Sequence, residues 1–292
     1  MAATTGTRSW APRRGVGRRN AVNRAATVAM GACVALALAP LLALLLYVLA
    51  KGLRAISWSA LTEVPKPSSE GGGGFLNAMV GSLILLAIAS AIGLTWGILT
   101  GIYLGEYARG RLGRAVRFFS DVLTGVPTIV TGLFVYGLLV IGLGSFSALA
   151  GGVALALVML PIVTRATEEM LNLVPDSLRE AGLALGMQKY KVVTRIVLPT
   201  AAKGIVTGSL LAVARASGET APLIITTLGS NFLVTRITGA PISAMPLYIF
   251  QNATTPDDVK INLAWAAALV LIGFILVLNL VARLIGRRSE VE

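Results

Sequence analysis

The segment Glu180–Pro199, EAGLALGMQKYKVVTRIVLP, is a polar stretch inside a chain that is 55% hydrophobic. Residues 177–185 favour a helix, and Gly186 can adopt the positive φ that ends one. Residues 189–198 can begin a second helix. The segment therefore predicts a helix, a glycine turn and a second helix, which together present a short helix to the cytoplasm between two membrane spans.

The spacing within this segment is E-A-x-x-x-x-G, then nine residues, then I-x-L-P. It resembles the loop by which permease subunits of bacterial ABC importers dock on their ATPase subunits, and we place this docking loop at 168–202. The family normally has Ala where Gly182 stands, and the glycine should loosen the short helix slightly. The alternative is an ordinary polar loop between spans. The residues assigned to ATPase docking are Glu180, Ala181, Gly186, Leu198 and Pro199.

The composition of the 292 residues, of which only 13% are charged, excludes an ordinary soluble domain. The net charge of +12 would suggest a nucleic-acid partner in a soluble protein. Here the basic residues lie in short loops and fix membrane orientation, so we expect membrane lipid as a partner and no nucleic acid. The chain has no histidine, and Cys33 is its single cysteine. Neither a disulfide framework nor a metal site is therefore expected.

The sequence contains no G-x-x-x-x-G-K-[ST] motif, so it lacks the P-loop that cradles ATP phosphates. We therefore expect no enzymatic activity and no cofactor bound by this chain. The energy for any transport must come from another subunit or from an ion gradient.

The N-terminal residues 1–24 carry six arginines and no acidic residue, which predicts a disordered basic tail in the cytoplasm. The uncharged run 25–50 is longer than the ~7–15 residues of a secretory signal, and it can cross a ~30 Å hydrocarbon core. It is predicted as the first transmembrane helix, with a kink at Pro40. The polar residues 51–74 are predicted to form an external linker.

Further uncharged runs predict five more spans. The second starts near Phe75 and continues to Gly105, and the 43 residues 122–164 are long enough for spans three and four. Spans five and six are placed at 204–228 and 261–282. With both termini in the cytoplasm, nineteen Lys and Arg residues lie inside and five outside, as the positive-inside rule requires. The fold class is an all-α integral membrane protein with six transmembrane helices.

Arg215 and Glu219 are charged residues inside predicted span five. Arg215 lies about eleven residues, or ~17 Å, past the cytoplasmic edge, and Glu219 is predicted one turn further on the same helix face. A charge near the bilayer midplane costs ~2.5–3.5 kcal/mol, so it should face protein or water. One interpretation is a self-neutralising pair that fixes helix packing. The other is an anion site, in which Arg215 binds two oxygens of a phosphate and Glu219 neutralises it when no anion is bound.

The backbone beside this pair is predicted to open. Pro222 has no N–H and frees the carbonyl of Gly218, and broken helices line the substrate path of many transporters. Arg165, at the cytoplasmic end of span four, is a further candidate for that path. The alternative for Arg165 is an arginine whose side chain extends to the membrane interface.

Five longer segments carry a more specific pattern: GIYLGEYA (101–108), LTGVPTIVTGLFVYG (123–137), LPIVTRATEEMLNLVPDSLREAGLALG (160–186), RIVLPTAAKGIVTG (195–208) and ARASGETAPLIITT (214–227). Together they resemble the PstA-type permease subunits of bacterial phosphate ABC importers. The likeness covers roughly residues 75–250, and it leaves out the N-terminal tail and the glycine-rich linker.

This resemblance implies a type I ABC importer permease fold for residues 75–285, with a cytoplasmic tail at 286–292, in the bacterial plasma membrane. It implies a second homologous permease (PstC-type) as partner, together with an ATPase dimer (PstB-type) that uses ATP and Mg²⁺. It also implies an extracytoplasmic phosphate-binding protein (PstS-type). Arg165, Arg215 and Glu219 lie within the matched motifs and carry over as phosphate-path residues.

We interpret the chain as a permease subunit that passes inorganic phosphate inward as a partner ATPase opens and closes. One alternative is a permease of another ABC importer for a small oxyanion. Two others are an ion-coupled secondary carrier and a membrane scaffold that reports phosphate status. Dependence of uptake on ATP separates the importer from the carrier, and uptake by the purified complex in vesicles separates transport from a scaffold role.

Overall fold

The computed structural model describes residues 16–108 and 110–287. The regular structure of these residues is helical, and beside the helices they form two isolated β-bridges but no strand. The sequence predicts tails at 1–24 and 286–292. Of these, residues 1–15 and 288–292 lie outside the described residues.

Thirteen α-helices make up most of the described chain. In chain order they are α1 (Val16–Ala55), α2 (Trp58–Thr62), α3 (Leu76–Ile102), α4 (Arg111–Gly125), α5 (Thr128–Val135), α6 (Ile141–Leu143), α7 (Ala148–Asn172), α8 (Asp176–Ala184), α9 (Lys189–Val192), α10 (Leu198–Ala216), α11 (Ala221–Thr226), α12 (Met245–Ala253) and α13 (Asp258–Arg287). Three π turns extend or join them, Tyr103–Tyr107 after α3, Tyr136–Val140 between α5 and α6, and Val193–Val197 between α9 and α10.

Within the described residues, five helical segments are long and apolar enough to cross a membrane. A sixth span is obtained if α4 and the Thr128–Leu143 segment, which are bent by 104° relative to each other, count as one broken span. This agrees with the prediction of six transmembrane helices. The five straight segments are Arg19–Ala55, Leu76–Tyr107, Ala148–Asn172, Lys189–Ala216 and Asp258–Ile285.

The structure corrects the predicted N-terminal boundaries. Helix α1 includes residues 16–24, which the sequence predicts as part of a disordered tail; this stretch contains no proline to stop a helix. The predicted linker 51–74 is folded as well, since α1 continues to Ala55 and is followed by α2 and a short 3₁₀ helix. The chain divides into two compact units between Ala50 and Lys51.

The predicted third span is also corrected at its start. The sequence placed a loop before Val122, whereas Arg111–Gly125 forms helix α4, and the chain turns sharply after it. Pro127 accounts for the turn because its ring disfavours helical backbone at Val126, which adopts ψ of 129°. Counted as one broken span, α4 and the Thr128–Leu143 segment are bent at this proline.

Helices α3 and α7 are the most closely packed pair in the core. Glycines recur every four residues on one face of α3 and its π turn, at positions 93, 97, 101 and 105. A Cβ atom at Gly101 would lie 2.8 Å from the Thr164 carbonyl oxygen, and one at Gly97 would lie 2.8 Å from the Val163 Cβ. The hydroxyl of Thr164 donates to the Gly97 carbonyl at 3.3 Å. Small residues at this spacing let membrane helices approach closely, and α3 and α7 are in close backbone contact along this face.

A second core lies on the external side, where α2, α12 and the start of α13 meet around Phe75 and Tyr248. Their rings are 5.9 Å apart, and burial raises the pKa of Tyr248 to about 12. Helix α12 lies between predicted spans five and six, which the sequence places at 204–228 and 261–282. The external side is therefore a folded cap above the spans.

Candidate functional site

The docking loop folds as predicted. Helix α8 ends at Ala184, and Gly186 adopts φ of +77°. The N–H of Gly186 donates to the Leu183 carbonyl at 2.9 Å, and the N–H of Met187 donates to the Gly182 carbonyl at 3.2 Å. These two bonds form the Schellman motif, which satisfies the last carbonyls of a helix. A residue with a Cβ atom is strained at this φ, so Gly186 sets the reversal of the chain.

Gly182 lets α8 pack closely on the second helix of the loop. A Cβ atom there would lie 2.9 Å from Ile196 Cδ1 and 3.0 Å from Val192 Cγ2. The sequence predicts a slightly looser α8 from this glycine. The structure adds a closer approach of the two helices, because an alanine would press against both side-chain ends.

The outer surface of α8 exposes apolar side chains. Leu183 is 50% exposed and Leu185 is 83% exposed. Exposed apolar groups that are rimmed by polar residues mark protein contact sites. We define the docking ridge as five exposed residues, namely Leu178, Glu180, Ala181, Leu183 and Leu185.

Leu198 and Pro199 lie away from the docking ridge, at the start of α10. Leu198 is half-buried against the cluster that holds Val192 and Val197, whereas Pro199 is exposed. Pro199 cannot donate to the carbonyl four residues earlier, and the π turn Val193–Val197 directly before it accommodates the missing bond. The structure therefore places these two residues at the junction between the docking loop and the span.

Arg165 lies on α7 within a cluster of four charges. Its Nη2 donates to Asp121 Oδ1 at 2.6 Å, and its Nη1 lies 3.5 Å from Glu168 Oε2. Arg117 of α4 donates through Nε to Glu168 Oε1 at 2.6 Å and through Nη2 to the Leu104 carbonyl at 3.0 Å. The Glu168 side chain is only 5% exposed. Two cations and two carboxylates thus balance one another and tie α4 to α7.

Span five is interrupted where the sequence predicts an opening. Helix α10 ends at Ala216 and α11 begins at Ala221, and Gly218 is exposed between them. Pro222 is buried in the first turn of α11, where it packs on α5. A Cβ atom at Gly132 of α5 would lie 2.6 Å from the Pro222 Cα. The break is therefore held in place by a close contact with another span.

The prediction that Glu219 lies one α-helical turn beyond Arg215 is wrong. The N–H of Glu219 donates to the Ala216 carbonyl at 3.1 Å, and the N–H of Gly218 donates to the Arg215 carbonyl at 3.2 Å. Both bonds span three residues rather than four, so side chains three apart align in this turn instead of side chains four apart. Arg215 is exposed and Glu219 is half-buried. Among the ion pairs of the described residues, neither takes part.

The depth of Arg215 relative to Arg165 follows from the packing of α10 on α7. A Cβ atom at Gly208 would lie 2.6 Å from the Ala166 Cβ, and Gly204 faces Met170, so the two helices run in opposite directions. At ~1.5 Å per residue, Arg215 lies about 9 Å further from the cytoplasmic end than Arg165. The two arginines therefore occupy neighbouring helices at different depths.

No group of three or more His, Cys, Asp or Glu residues that could hold a metal ion occurs in the part of the chain that the structure describes. The candidate site is thus built from arginines, carboxylates and an interrupted backbone. These groups can bind an anion and guide it.

Comparison with known proteins identifies the family of this chain. A family model described as "Binding-protein-dependent transport system inner membrane component" matches residues 97–291. The chain belongs to this family. It is 44% identical over 273 residues to the phosphate transport system permease protein PstA of Yersinia pestis, covering 93% of this chain and 92% of that protein. It is 40% identical to PstA 1 of Mycobacterium tuberculosis strain H37Rv, covering 92% and 88%.

Solved structures with a similar fold include a bacterial alginate ABC transporter in complex with an alginate pentasaccharide-bound periplasmic protein. That likeness has a TM-score of 0.62 at 14% identity and covers 94% of this chain and 98% of the other. The inward-facing methionine ABC transporter MetNI gives a TM-score of 0.58 at 18% identity, covering 72% and 94%. At such low sequence identities, the two structural likenesses show the fold alone. They confirm the predicted type I importer permease fold. The chain is a multi-pass component of the plasma membrane.

Sequence reasoning missed several charged residues that the structure brings together. Glu106 and Arg179 form an ion pair at the base of the docking loop, and Asp121 and Glu168 hold Arg165. A signal for one of them was present, since Glu106 is the first charge after the 35 uncharged residues 71–105. The partners were not visible, because they come from different helices.

Proposed function

We propose that the chain is the permease subunit of an ATP-driven importer of inorganic phosphate. The choice of phosphate is supported by the relatives in Yersinia pestis and Mycobacterium tuberculosis, both of which carry the name phosphate transport system permease protein. The observation that carries the mechanism is Arg215, an exposed cation on a membrane span that has no ion pair among the described residues.

An arginine at this depth is unfavourable against lipid, by about 2.5–3.5 kcal/mol on the most lenient scale. Arg215 therefore requires a polar environment that this chain does not provide by itself. A second permease covering the same surface would enclose a polar path and place Arg215 on its wall. This supports pairing with a homologous permease of the PstC type.

The chemistry of Arg215 suits inorganic phosphate. A guanidinium presents parallel N–H groups that match two oxygens of a phosphate, and it stays charged at any physiological pH. Glu219, four residues away, reduces the net charge of the empty path. The interruption at Gly218 leaves backbone polar groups beside the path, as in other transporters with broken helices.

Arg165 supplies a second position for the anion, about 9 Å closer to the cytoplasm. Its side chain is 42% exposed, and that of Asp121 is 53% exposed. A phosphate can therefore replace the Asp121 carboxylate, while Glu168 remains bound to Arg117. Two arginines at successive depths provide a stepwise route inward.

The remaining partners follow from the family. The docking ridge binds one subunit of an ATPase dimer of the PstB type, which uses ATP and Mg²⁺, so this chain itself needs no cofactor and performs no catalysis. An extracytoplasmic phosphate-binding protein of the PstS type delivers the anion to the external cap.

The test is phosphate uptake by the assembled complex in vesicles, normalised to the amount of complex. Arg215→Lys keeps the charge but loses the paired donors. We expect uptake to fall at least tenfold, since one hydrogen bond to a charged group contributes about 1.5–3 kcal/mol. Glu219→Gln should bind phosphate more tightly and release it more slowly. Arg283→Lys, on the exposed end of α13, is the control and should transport normally.

Normal uptake by Arg215→Lys in an intact complex would contradict the role of Arg215. A wild-type complex that transports another small oxyanion in preference to phosphate would assign a different substrate. A complex that moves no anion, but still changes the state of a phosphate-sensing kinase, would favour the scaffold.

A further inference from the structure

Arg179 is a fully bonded arginine at the base of the docking helix. Its Nε and Nη2 both donate to Glu106 Oε1, at 3.1 and 2.7 Å. Nη2 also donates to the Leu171 carbonyl at 2.7 Å, and Nη1 donates to the Val174 carbonyl at 2.5 Å and to Asp176 Oδ1 at 3.1 Å. A guanidinium has five N–H groups, so each of them has a partner.

The acceptors of Arg179 belong to different parts of the chain. Glu106 is in the π turn that follows α3, while Leu171 is in the last turn of α7 and Val174 lies two residues past its end. Terminal carbonyls of a helix lack partners within the helix, and a cation there is favourable. One side chain of α8 therefore holds the cytoplasmic ends of both α3 and α7.

The second helix of the docking loop holds the same turn of α3. Lys189 of α9 donates to the backbone carbonyl of Glu106. Its ammonium lies 4.7 Å from the centre of the Tyr107 ring, within the range of a cation–π contact. The π turn Tyr103–Tyr107 is thus bound by α8, which precedes the chain reversal at Gly186, and by α9, which follows it.

These polar contacts connect α8 to the π turn that follows α3, and they border an open cavity of 760 Å³. Glu106, Arg117, Arg179 and Lys189 line it. The Glu106 side chain is 5% exposed and that of Arg179 is 19% exposed, so solvent competes weakly for the pair. Apolar packing alone would let α8 slide over α3, whereas a forked ion pair fixes its direction.

We propose that Glu106 and Arg179 form the joint that transmits movement of the docking helix to α3 and α7. This inference rests on the proposed function, since it assumes that an ATPase moves α8. Because the glycine face of α3 is packed tightly on α7, a displacement of Glu106 moves both helices, including Arg165 on α7. Both residues are positioning residues, and neither touches the anion.

The test uses the complete complex in vesicles and measures two rates together, hydrolysis of ATP and uptake of inorganic phosphate. Glu106→Gln keeps the shape of the side chain but removes its charge, and Arg179→Lys removes the fork. For both variants we expect the ATPase to co-purify and to hydrolyse ATP at the basal rate. We expect the phosphate transported per ATP to fall at least fivefold. The matched control is Glu63→Gln, which removes an exposed external ion pair with Lys66 at 2.8 Å and should leave the ratio unchanged.

A purely structural pair predicts a different result. In that case the variants would lose assembled complex and basal hydrolysis together, and the complex that remained would keep the normal ratio. That outcome, or an unchanged ratio in both variants, would overturn the joint. If the wild-type complex couples hydrolysis to uptake of an anion other than phosphate, the proposed substrate fails, while the ratio measured with that anion still tests the joint.

Discussion

Close packing of α3 on α7 gives a prediction whose size can be worked out from the structure. Gly101→Ala would place a Cβ atom 2.5 Å from the Thr167 Cβ and 2.8 Å from the Thr164 carbonyl oxygen. One neighbour is backbone and the other is a stiff β-branched side chain, so neither can rotate away. The two helices must therefore separate by about 0.6–0.9 Å to restore ordinary contacts of about 3.4 Å.

The matched control is Gly273→Ala in α13, where a Cβ atom would meet nothing within 4 Å. Both changes replace glycine by alanine inside a helix, which stabilises the helix by about 0.8–1 kcal/mol. Only Gly101→Ala overpacks an interface, at a cost of about 1–3 kcal/mol. The difference between the two variants in free energy of unfolding should therefore be about 1–3 kcal/mol.

The assay is denaturation of the purified protein in mixed micelles by increasing amounts of a denaturing detergent. Gly273→Ala should unfold at the same or a higher midpoint than the wild type, and Gly101→Ala at a lower one. If the two variants unfold at the same midpoint, α3 and α7 are not in close contact, and the pair cannot move as one body. A displacement of Glu106 would then not reach α7.

Three further predictions concern the docking loop, the topology and the external cap. Gly186→Val should cost about 1–3 kcal/mol of local strain and abolish co-purification with the ATPase, whereas Gly142→Val, at an open position without positive φ, should not; co-purification with both would contradict the docking assignment. In a Cys33→Ser background, an impermeant thiol reagent should label a cysteine at Lys66 in intact cells but not one at Gln188, and the reverse pattern would invert the topology. Asp257→Asn should lower the melting temperature at neutral pH, because the Asp257 carboxylate accepts hydrogen bonds from Ser68 and from the first N–H groups of α13. The Ser68 hydrogen bond lowers the pKa of Asp257 below 3.8, so the carboxylate stabilises the fold above that pH. The difference in melting temperature between variant and wild type should therefore shrink only as the pH falls below about 4.

The features that the sequence predicts well depend on single residues with local physical consequences. Gly186 stops a helix because glycine adopts a positive φ without the strain that a side chain causes, and Pro222 interrupts span five because it lacks an N–H. Runs without charge identify the spans, because hydrocarbon excludes charge from any helix that faces it. These effects do not require knowledge of which helices become neighbours.

Other features escaped prediction because they depend on what meets in space. The uncharged run 122–164 conceals the bend at Pro127, since charge alone does not distinguish a span from a helix at the membrane surface. The acceptors of Arg165 come from two helices and those of Arg179 from three segments, and no spacing in the sequence links them. The predicted position of Glu219 assumes an unbroken α-helix from Arg215, although Gly218 and Pro222 predict an interruption of that helix.

One continuous helical segment connects the predicted docking loop to Arg215. Lys189–Ala216 is 28 residues long, and it runs from the docking loop to the end of α10, where Arg215 lies. Its close contacts with α7 are at Gly204 and Gly208. Taken as a rod, the segment has an arm of about 26 Å on the docking side of that contact and about 14 Å on the side of Arg215.

Rocking about the contact at Gly204 and Gly208 therefore moves Arg215 in the direction opposite to the docking end, by about half the distance. A docking helix displaced by about 4 Å would shift the guanidinium by about 2 Å, which is enough to break a hydrogen bond whose length must stay near 2.7–3.2 Å. For the anion site that we propose at Arg215, binding and release can thus follow a movement of the Lys189 end without any rearrangement inside the helix.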